Sequence, residues 1–412
     1  MDIARTLTQF THKPSGTLFA ENGPKTIVET VSITGVQIRR YVNEYWTSRQ
    51  RQASSIHEVS YRACFKPQLP RFFIKRLTKK GDVVYDPFSG RGTTCIEAGV
   101  MGRRVIANDV NPLSAILAQP RFSPPGVDEV EDRLSHIRID RRRRAGIDLS
   151  MFYHPHTEAE IVCLRDYLAE RKESGLEDPV DRWIRMVATN RLTGHSKGFF
   201  SVYTLPPNQA TSAERQRKIN KKRGQEPDYR DTHKLILKKS KALIKNLTEK
   251  ETAALREAGE SARFLSTDAR CTSEIEPDSV RLTVTSPPFL NIVQYSSDNW
   301  LRCWFNGIDD KAVAKDITVT STLDVWTDIM GDVFRELFRI TKHGGWVAFE
   351  VGEVKKGAVK LDEHVVPLGL AAGFECVGIV INLQQFTKTS NIWGIDNNDI
   401  GTNTNRIVLF HK

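Results

Sequence analysis

Short apolar runs bounded by glycine and proline alternate with longer stretches of helical period along this chain, and the alternation predicts the fold class. Val83-Val84-Tyr85-Asp86 reads as a short buried strand, followed by a glycine-bearing turn, a helix over residues 93–99, and Val105-Ile106-Ala107-Asn108-Asp109 as the next strand. That is a βαβ unit, which predicts a parallel sheet. Upstream, Lys66-Pro67 opens a helix through residue 75, because proline suits a first turn and Leu69, Phe72, Phe73 and Leu77 recur at helical spacing. Residues 36–46 (Val36, Ile38, Tyr41, Val42, Tyr45) form an amphipathic stretch that predicts a helix packed on another element.

After Pro120 to Pro125 the pattern changes for about 140 residues: charged, mostly helical in period, and rich in arginine and lysine. The α/β alternation resumes at Arg263-Phe264-Leu265, then strands over 280–285 and 346–351 flank a long helix near 326–340, and strands over 376–381 and 406–410 close the chain. The expected organisation is an N-terminal helical extension (1–60), the first part of an α/β domain (61–122), an inserted basic, mainly helical domain (123–262) and the second part of the α/β domain (263–412). A structureless loop as long as the insertion would be improbable, so it reads as a subdomain.

Composition narrows the class. Of 412 residues, 39% are hydrophobic and 27% charged, which excludes disordered, collagenous and disulfide-stapled chains. No apolar run approaches the ~20 residues of a membrane span and Met1-Asp2-Ile3-Ala4-Arg5 lacks a signal-peptide core, so no membrane association and a cytoplasmic location are expected. Cys64, Cys95, Cys163, Cys271, Cys303 and Cys376 lie far apart without a C-x-x-C pair, so no metal site is expected and the thiols read as reduced. The net charge of +10 is uneven: residues 215–245 hold twelve Lys/Arg against Glu226, Asp228 and Asp231, and residues 141–144 are four consecutive arginines. Such a concentration points either to a polyanionic partner, nucleic acid first, or to a solvated helix face.

Two strings carry chemistry. Asp86-Pro87-Phe88-Ser89-Gly90-Arg91-Gly92-Thr93-Thr94 sits where the first sheet strand turns into its helix, at the carboxyl edge where open α/β sheets bind ligands. Gly90 and Gly92 permit positive φ and close approach of backbone to a ligand. Cys95 stands where a dinucleotide fingerprint needs glycine, and no Gly-Lys-Ser/Thr follows. Asp86 disfavours a pyrophosphate and suits a ligand carrying ammonium and sulfonium charges, while Asp109 is placed for ribose hydroxyls. The cofactor that fits both is S-adenosyl-L-methionine. The second string, Ser286-Pro287-Pro288-Phe289, follows the strand over 280–285; its paired prolines make a rigid, extended loop of the kind a base-holding site requires.

On these two strings the chain resembles the amino-methylating DNA methyltransferases over roughly residues 60–120 and 263–410. The resemblance implies a Rossmann-like class I methyltransferase fold, a seven-stranded, mostly parallel sheet carrying the basic helical insertion. It implies S-adenosyl-L-methionine held by Pro67, Asp86, Pro87, Phe88, Ser89, Gly90, Gly92, Thr93, Thr94, Asp109 and Asp268, with Phe88 and Asp268 toward the adenine and the Pro67 helix toward the methionine end. Catalysis falls to Ser286, Pro287, Pro288 and Phe289. In that family a leading serine is typical of cytosine-N4 enzymes and Asp/Asn of adenine-N6 enzymes, so cytosine in double-stranded DNA is the expected target, with a cognate restriction endonuclease as a further partner. Adenine N6, an RNA substrate and a non-catalytic DNA-binding role are the alternatives. Extruding the base from the duplex costs a few kcal/mol, which stacking offsets by roughly 1–3 kcal/mol; Phe289, then Tyr295, are the candidate rings. The insertion departs from the common layout by lying between Asp109 and Asp268. No cysteine follows a proline, which argues against cytosine-C5 chemistry. Trp300, Trp304 and Phe305 read as core, residues 194–203 as a turn and strand, and His195 alone is not catalytic.

Overall fold

The computed structural model describes residues 2–11, 25–46, 53–62, 64–205, 211–288, 295–316, 322–354, 359–383 and 404–412. A short helix α1 (Ile3–Thr8) precedes a hairpin, β1 (Ile27–Ile33) and β2 (Val36–Asn43). Then come α2 (Gln68–Leu77), β3 (Val83–Asp86), α3 (Thr93–Val100), β4 (Arg104–Asn108) and α4 (Leu113–Ala118). The basic region supplies α5 (Val127–Ser135), α6 (Pro155–Glu173), α7 (Pro179–Arg191), α8 (Ala213–Arg223), α9 (Thr232–Ile244) and α10 (Glu249–Ser261). The chain returns to the sheet with β5 (Arg263–Leu265) and β6 (Val280–Thr285), continues through α11 (Tyr295–Asn306), α12 (Asp310–Asp316) and α13 (Leu323–Ile340), and adds β7 (Thr341–Val351), the minor pair β8 (Glu353–Val354) and β9 (Val359–Lys360), α14 (Leu361–Ala372), β10 (Glu375–Leu383) and β11 (Thr404–His411).

Among the described residues nine strands form one sheet in the order β1-β2-β10-β11-β7-β6-β3-β4-β5. Seven of them, β10 through β5, make the expected mixed sheet: β5, β4, β3, β6 and β7 run parallel, and β11 lies antiparallel between β7 and β10. The hairpin extends this sheet by two strands, β2 pairing parallel with β10. The helix expected over 36–46 is therefore strand β2. Thr34 and Gly35 both take positive φ (47° and 83°), a two-residue turn whose twist suits a hairpin. Buried Arg40, one of its polar residues, is held by Asp362 and Glu363 on α14.

Each face of the sheet has its own core. On one side Tyr85, Ile106 and Phe349 pack with Phe334 and Val365 of α13 and α14. On the other, Val84 and Ile96 share a continuous cluster with Trp183 and Leu243, so the helices of the basic region bury their apolar residues against the α3 side.

Successive strands β3, β4 and β5 step outward in one direction, and β6 and β7 in the other. The order reverses between β3 and β6, and at such a switch point the loops leaving the two strands part to opposite faces and open a crevice at their carboxyl ends.

Candidate active site

The loop after β3 is fixed from several directions. Ser89 N–H donates to the Asn108 carbonyl (2.9 Å) and Gly90 N–H to the Asp109 carboxylate (2.8 Å). The buried Arg91 side chain donates to the Val59 carbonyl (2.9 Å) and to the Thr93 hydroxyl (3.1 Å). Beneath it Arg121, fully buried, donates to the carbonyls of Arg91, Leu117 and Ile56. Gly92 has φ +77°, and a Cβ there would lie 2.6 Å from the Ala118 Cβ. Gly92→Ala is thus expected to destabilise the fold by roughly 2–4 kcal/mol, through backbone strain and overpacking together, read as a lowered midpoint in denaturant unfolding.

Asp86 ends β3 and is buried at the crevice. Its carboxylate accepts from the Thr285 hydroxyl (2.6 Å) and the Phe88 N–H (3.2 Å). Burial pushes its pKa up to about 7, and these hydrogen bonds only partly oppose that. Asp109, just past β4, also accepts from Asn111 N–H (2.9 Å), and burial raises it to about 6. Among the described residues neither carboxylate has a Lys, Arg or His ion-pair partner. Two buried acids without a cation are a site that a positively charged ligand would complete. Asp268 is brought to the same edge: the Asn108 side chain clips Thr267 to the end of β4 through its backbone N–H (3.0 Å) and carbonyl (2.9 Å). The Asp268 carboxylate is engaged by Arg270 of its own turn, which holds its pKa below the usual range.

The Ser-Pro-Pro loop leaves β6 directly beside this carboxylate. Thr285, whose hydroxyl bonds Asp86, immediately precedes Ser286, and the Thr94 hydroxyl of α3 donates to the Val284 carbonyl (3.0 Å). The two loops are therefore cross-linked at the ends of adjacent parallel strands. Pro287 is buried, and the Pro288 carbonyl accepts from the Trp326 indole of α13 (2.9 Å). Glu350, a carboxyl near the end of β7, stands beside Ser286 in the register of β6 and β7. It accepts from Asn405 (2.9 Å), and its burial raises its pKa against that bond and the nearby Ser286 hydroxyl. Phe289 and the side chain of Tyr295 lie outside the described residues.

Glu350 and Arg121 were not singled out from the sequence. The one signal for Glu350 is an acid inside the apolar run Trp346-Val347-Ala348-Phe349-Glu350-Val351; Arg121 gives none, because its partners are backbone carbonyls. Pro67 stands at the start of α2 and lines, with Lys66, Arg91 and His57, a cavity of about 190 Å³ beside the β3 loop. Thr93 and Thr94 are buried at the start of α3, Ser89 is buried and Phe88 half-buried in the loop. Phe305 is core, while Trp300 and Trp304 are half-buried. Among the described residues no group of three or more His, Cys, Asp or Glu could hold a metal ion, and no helix is long and apolar enough to cross a membrane.

A glycine-bearing loop at the switch point of this strand order, with acids closing two neighbouring strands, defines a Rossmann-like α/β fold with a ligand site at its carboxyl edge. Residues 17–118 match the N6/N4 methyltransferase family, described as DNA methylase. The type II methyltransferase M.MjaII of Methanocaldococcus jannaschii is 29% identical over 85 residues, 20% of this chain and 16% of that protein. M.MvaI of Kocuria varians is 29% identical over 97 residues, 23% of this chain and 20% of that one. The chain thus spans a fifth or less of the length of either relative. A solved S-adenosylmethionine-dependent methyltransferase from Methanosarcina mazei covers 82% of this chain and 96% of its own at 10% identity and a TM-score of 0.33. Over residues 17–118 the chain is thus similar to the amino-methylating DNA methylases. That match takes in the β1–β2 hairpin, a region to which the sequence alone assigned no chemistry, and it stops before β6.

Proposed function

We propose that the protein is a DNA methyltransferase that moves a methyl group from S-adenosyl-L-methionine to the exocyclic N4 amine of a cytosine extruded from duplex DNA. The observation that carries the reading is the Asp86–Thr285 bond, which sets the loop of the cofactor motif beside Ser286. Bound between Asp86, Asp109 and the β3 loop, the cofactor supplies an electrophilic methyl carbon on a sulfonium. The buried acids match that cation, and Pro67, Phe88, Ser89 and Asp268 line its expected path.

The chain's own part is to make a poor nucleophile better. The N4 lone pair is conjugated into the ring, and an acceptor at its N–H favours the pyramidal geometry that frees it. In this reading the Ser286 proton turns to the neighbouring Glu350, the Ser286 oxygen presents lone pairs to the amine, and the rigid prolines hold it there. After transfer the N4 cation loses its extra proton to Ser286, whose own proton passes to Glu350. The products are the neutral N4-methylated base, S-adenosylhomocysteine and a protonated Glu350. No covalent intermediate is required. Methyl transfer to an adenine N6 by the same groups is the nearest second reading; Ser286 in place of an acid or amide favours cytosine. A cognate restriction endonuclease and a cytoplasmic location complete this reading.

Titration gives a test of the cofactor site. With folded values raised to about 7 and 6, Asp86 and Asp109 stay protonated where the unfolded chain would ionise them, so their contribution to stability is full below about pH 4 and is lost as pH rises from there through 7. A permanently cationic ligand binds the ionised pair, so its affinity runs the other way. Calorimetry should show S-adenosylmethionine binding tighten about tenfold or more between pH 5.5 and 8, with a smaller change for S-adenosylhomocysteine, which keeps the ammonium but lacks the sulfonium charge. A pH-independent affinity would contradict the assignment. Tritiated methyl transfer to duplex DNA and to total RNA, compared side by side, tests the substrate, and a preference for RNA would overturn it.

A further inference from the structure

Helix α8 is built against the usual rules for a surface helix. It holds Arg215, Arg217, Lys218, Lys221, Lys222 and Arg223 with Glu214 as its one acid, and Gln216 is its one buried residue. Positions 217 and 221, and 218 and 222, place like charges one turn apart, which costs helix stability. No apolar stripe repays that cost. The helix is held instead by amides: Gln216 and Gln225 donate to the Tyr203 carbonyl (3.0 and 2.9 Å), and Asn220 donates to the Met151 carbonyl (2.8 Å). Ser212 caps its N-terminus and Gly224, in the left-handed conformation, ends it.

Its charges are also available. Arg217 pairs with Asp148, Lys218 with Glu214, and Arg223 lies over the Tyr203 ring, but Arg215, Lys221 and Lys222 are exposed and have no ion pair among the described residues. The arginine run 141–144 differs. Arg142 and Arg143 pair with Asp140 and Asp166, Arg144 donates to carbonyls of its own loop, and Arg141 lies over Tyr229.

Position gives the charge a role. The carbonyl of Thr211, one residue before the cap of α8, accepts from the Trp300 indole (3.2 Å). Trp300 belongs to α11, which begins seven residues beyond Pro288. The same helix carries Arg302, which donates to the Ser60 carbonyl (3.1 Å) and lies 5.9 Å from the Tyr61 ring. Tyr61 in turn packs over Gly90 of the cofactor loop. A short chain of contacts thus ties the root of α8 to the cofactor loop, through the helix that follows the Ser-Pro-Pro loop in the chain.

Deepening the proposed function and resting on it, we infer that α8 is the phosphate-gripping element of the enzyme. Arg215, Lys221 and Lys222 neutralise backbone phosphates of double-stranded DNA beside the extruded base. Contacts of this kind give register and affinity without reading sequence.

The test is the salt dependence of binding of a 30-base-pair duplex by the full chain, without cofactor. The triple variant R215Q/K221Q/K222Q should bind about one to two orders of magnitude more weakly at moderate salt. Its plot of log affinity against log salt should flatten by about 2–3, near 0.9 per lost phosphate contact. KM for DNA should rise with kcat retained at low salt, and thermal midpoint and S-adenosylmethionine affinity should not move. K238Q/K241Q/K245Q, at α9 and its C-terminal cap, removes the same charge elsewhere in the basic region and should flatten the slope less. An unchanged slope for the α8 variant, an equal or larger loss for the α9 variant, or a slope that flattens on duplex RNA only would each overturn the inference. If the wild type methylates DNA and the α8 variant binds as tightly, this inference alone fails; a wild type that binds donor and leaves DNA unmethylated sinks the proposed function instead.

Discussion

Ser286→Ala is expected to lower kcat for DNA methylation by about two to three orders of magnitude while S-adenosylmethionine affinity stays within about twofold. The hydroxyl is the side-chain acceptor that Ser286-Pro287-Pro288-Phe289 offers the amine, and its removal also takes a polar neighbour from Glu350, a buried carboxyl that accepts from Asn405. Single-turnover kinetics separate this loss from DNA binding, which should persist. Glu350→Gln should cost less, about ten- to a hundredfold, because Ser286 remains but its proton is no longer directed and the proton has no acceptor at the end of the path. Equal activity of Ser286→Ala and wild type would remove Ser286 from the chemistry.

Asp86→Asn is the second large effect, and its two readouts move in opposite directions. Donor affinity should fall by about a hundredfold, the loss of a buried charge facing a cation. Stability at pH 8 should hold or rise, because the fold no longer has to keep an ionised carboxylate out of water, and the Asp86 part of the pH dependence should vanish. A variant that loses binding and stability together would mark Asp86 as a structural residue that only supports the loop.

Much of the sheet could be read from local pattern. The strands ending at Asp86 and Thr285 are short apolar runs followed by glycine or proline, and such signals depend on a few neighbouring residues. The helix expected at 36–46 failed for a reason of the same kind. Ile38, Tyr41, Val42 and Tyr45 satisfy helical spacing as well as a strand's, and what decides the matter is the Thr34-Gly35 turn and a partner strand more than 300 residues away. Arg40 sits inward because Asp362 and Glu363 meet it, a pairing no local window contains.

The site follows the same division. The two motif strings named the loops, because glycine and paired proline restrict backbone in recognisable ways. Their juxtaposition needed the sheet order, and Glu350 needed the register between β6 and β7 that sets it next to Ser286. Arg121 illustrates the rest: a guanidinium serving backbone carbonyls under the β3 loop leaves no trace in residue type or spacing.

The most direct measurement digests duplex DNA to nucleosides after incubation with the protein and S-adenosylmethionine bearing a deuterated methyl group, and identifies the labelled nucleoside by mass. The expected result is deuterated N4-methylcytosine, reduced to background with Ser286→Ala and with Asp86→Asn at limiting donor. Labelled N6-methyladenine would overturn the choice of base and leave the shared site standing, whereas unlabelled DNA from a protein shown to bind both donor and duplex would contradict the central claim.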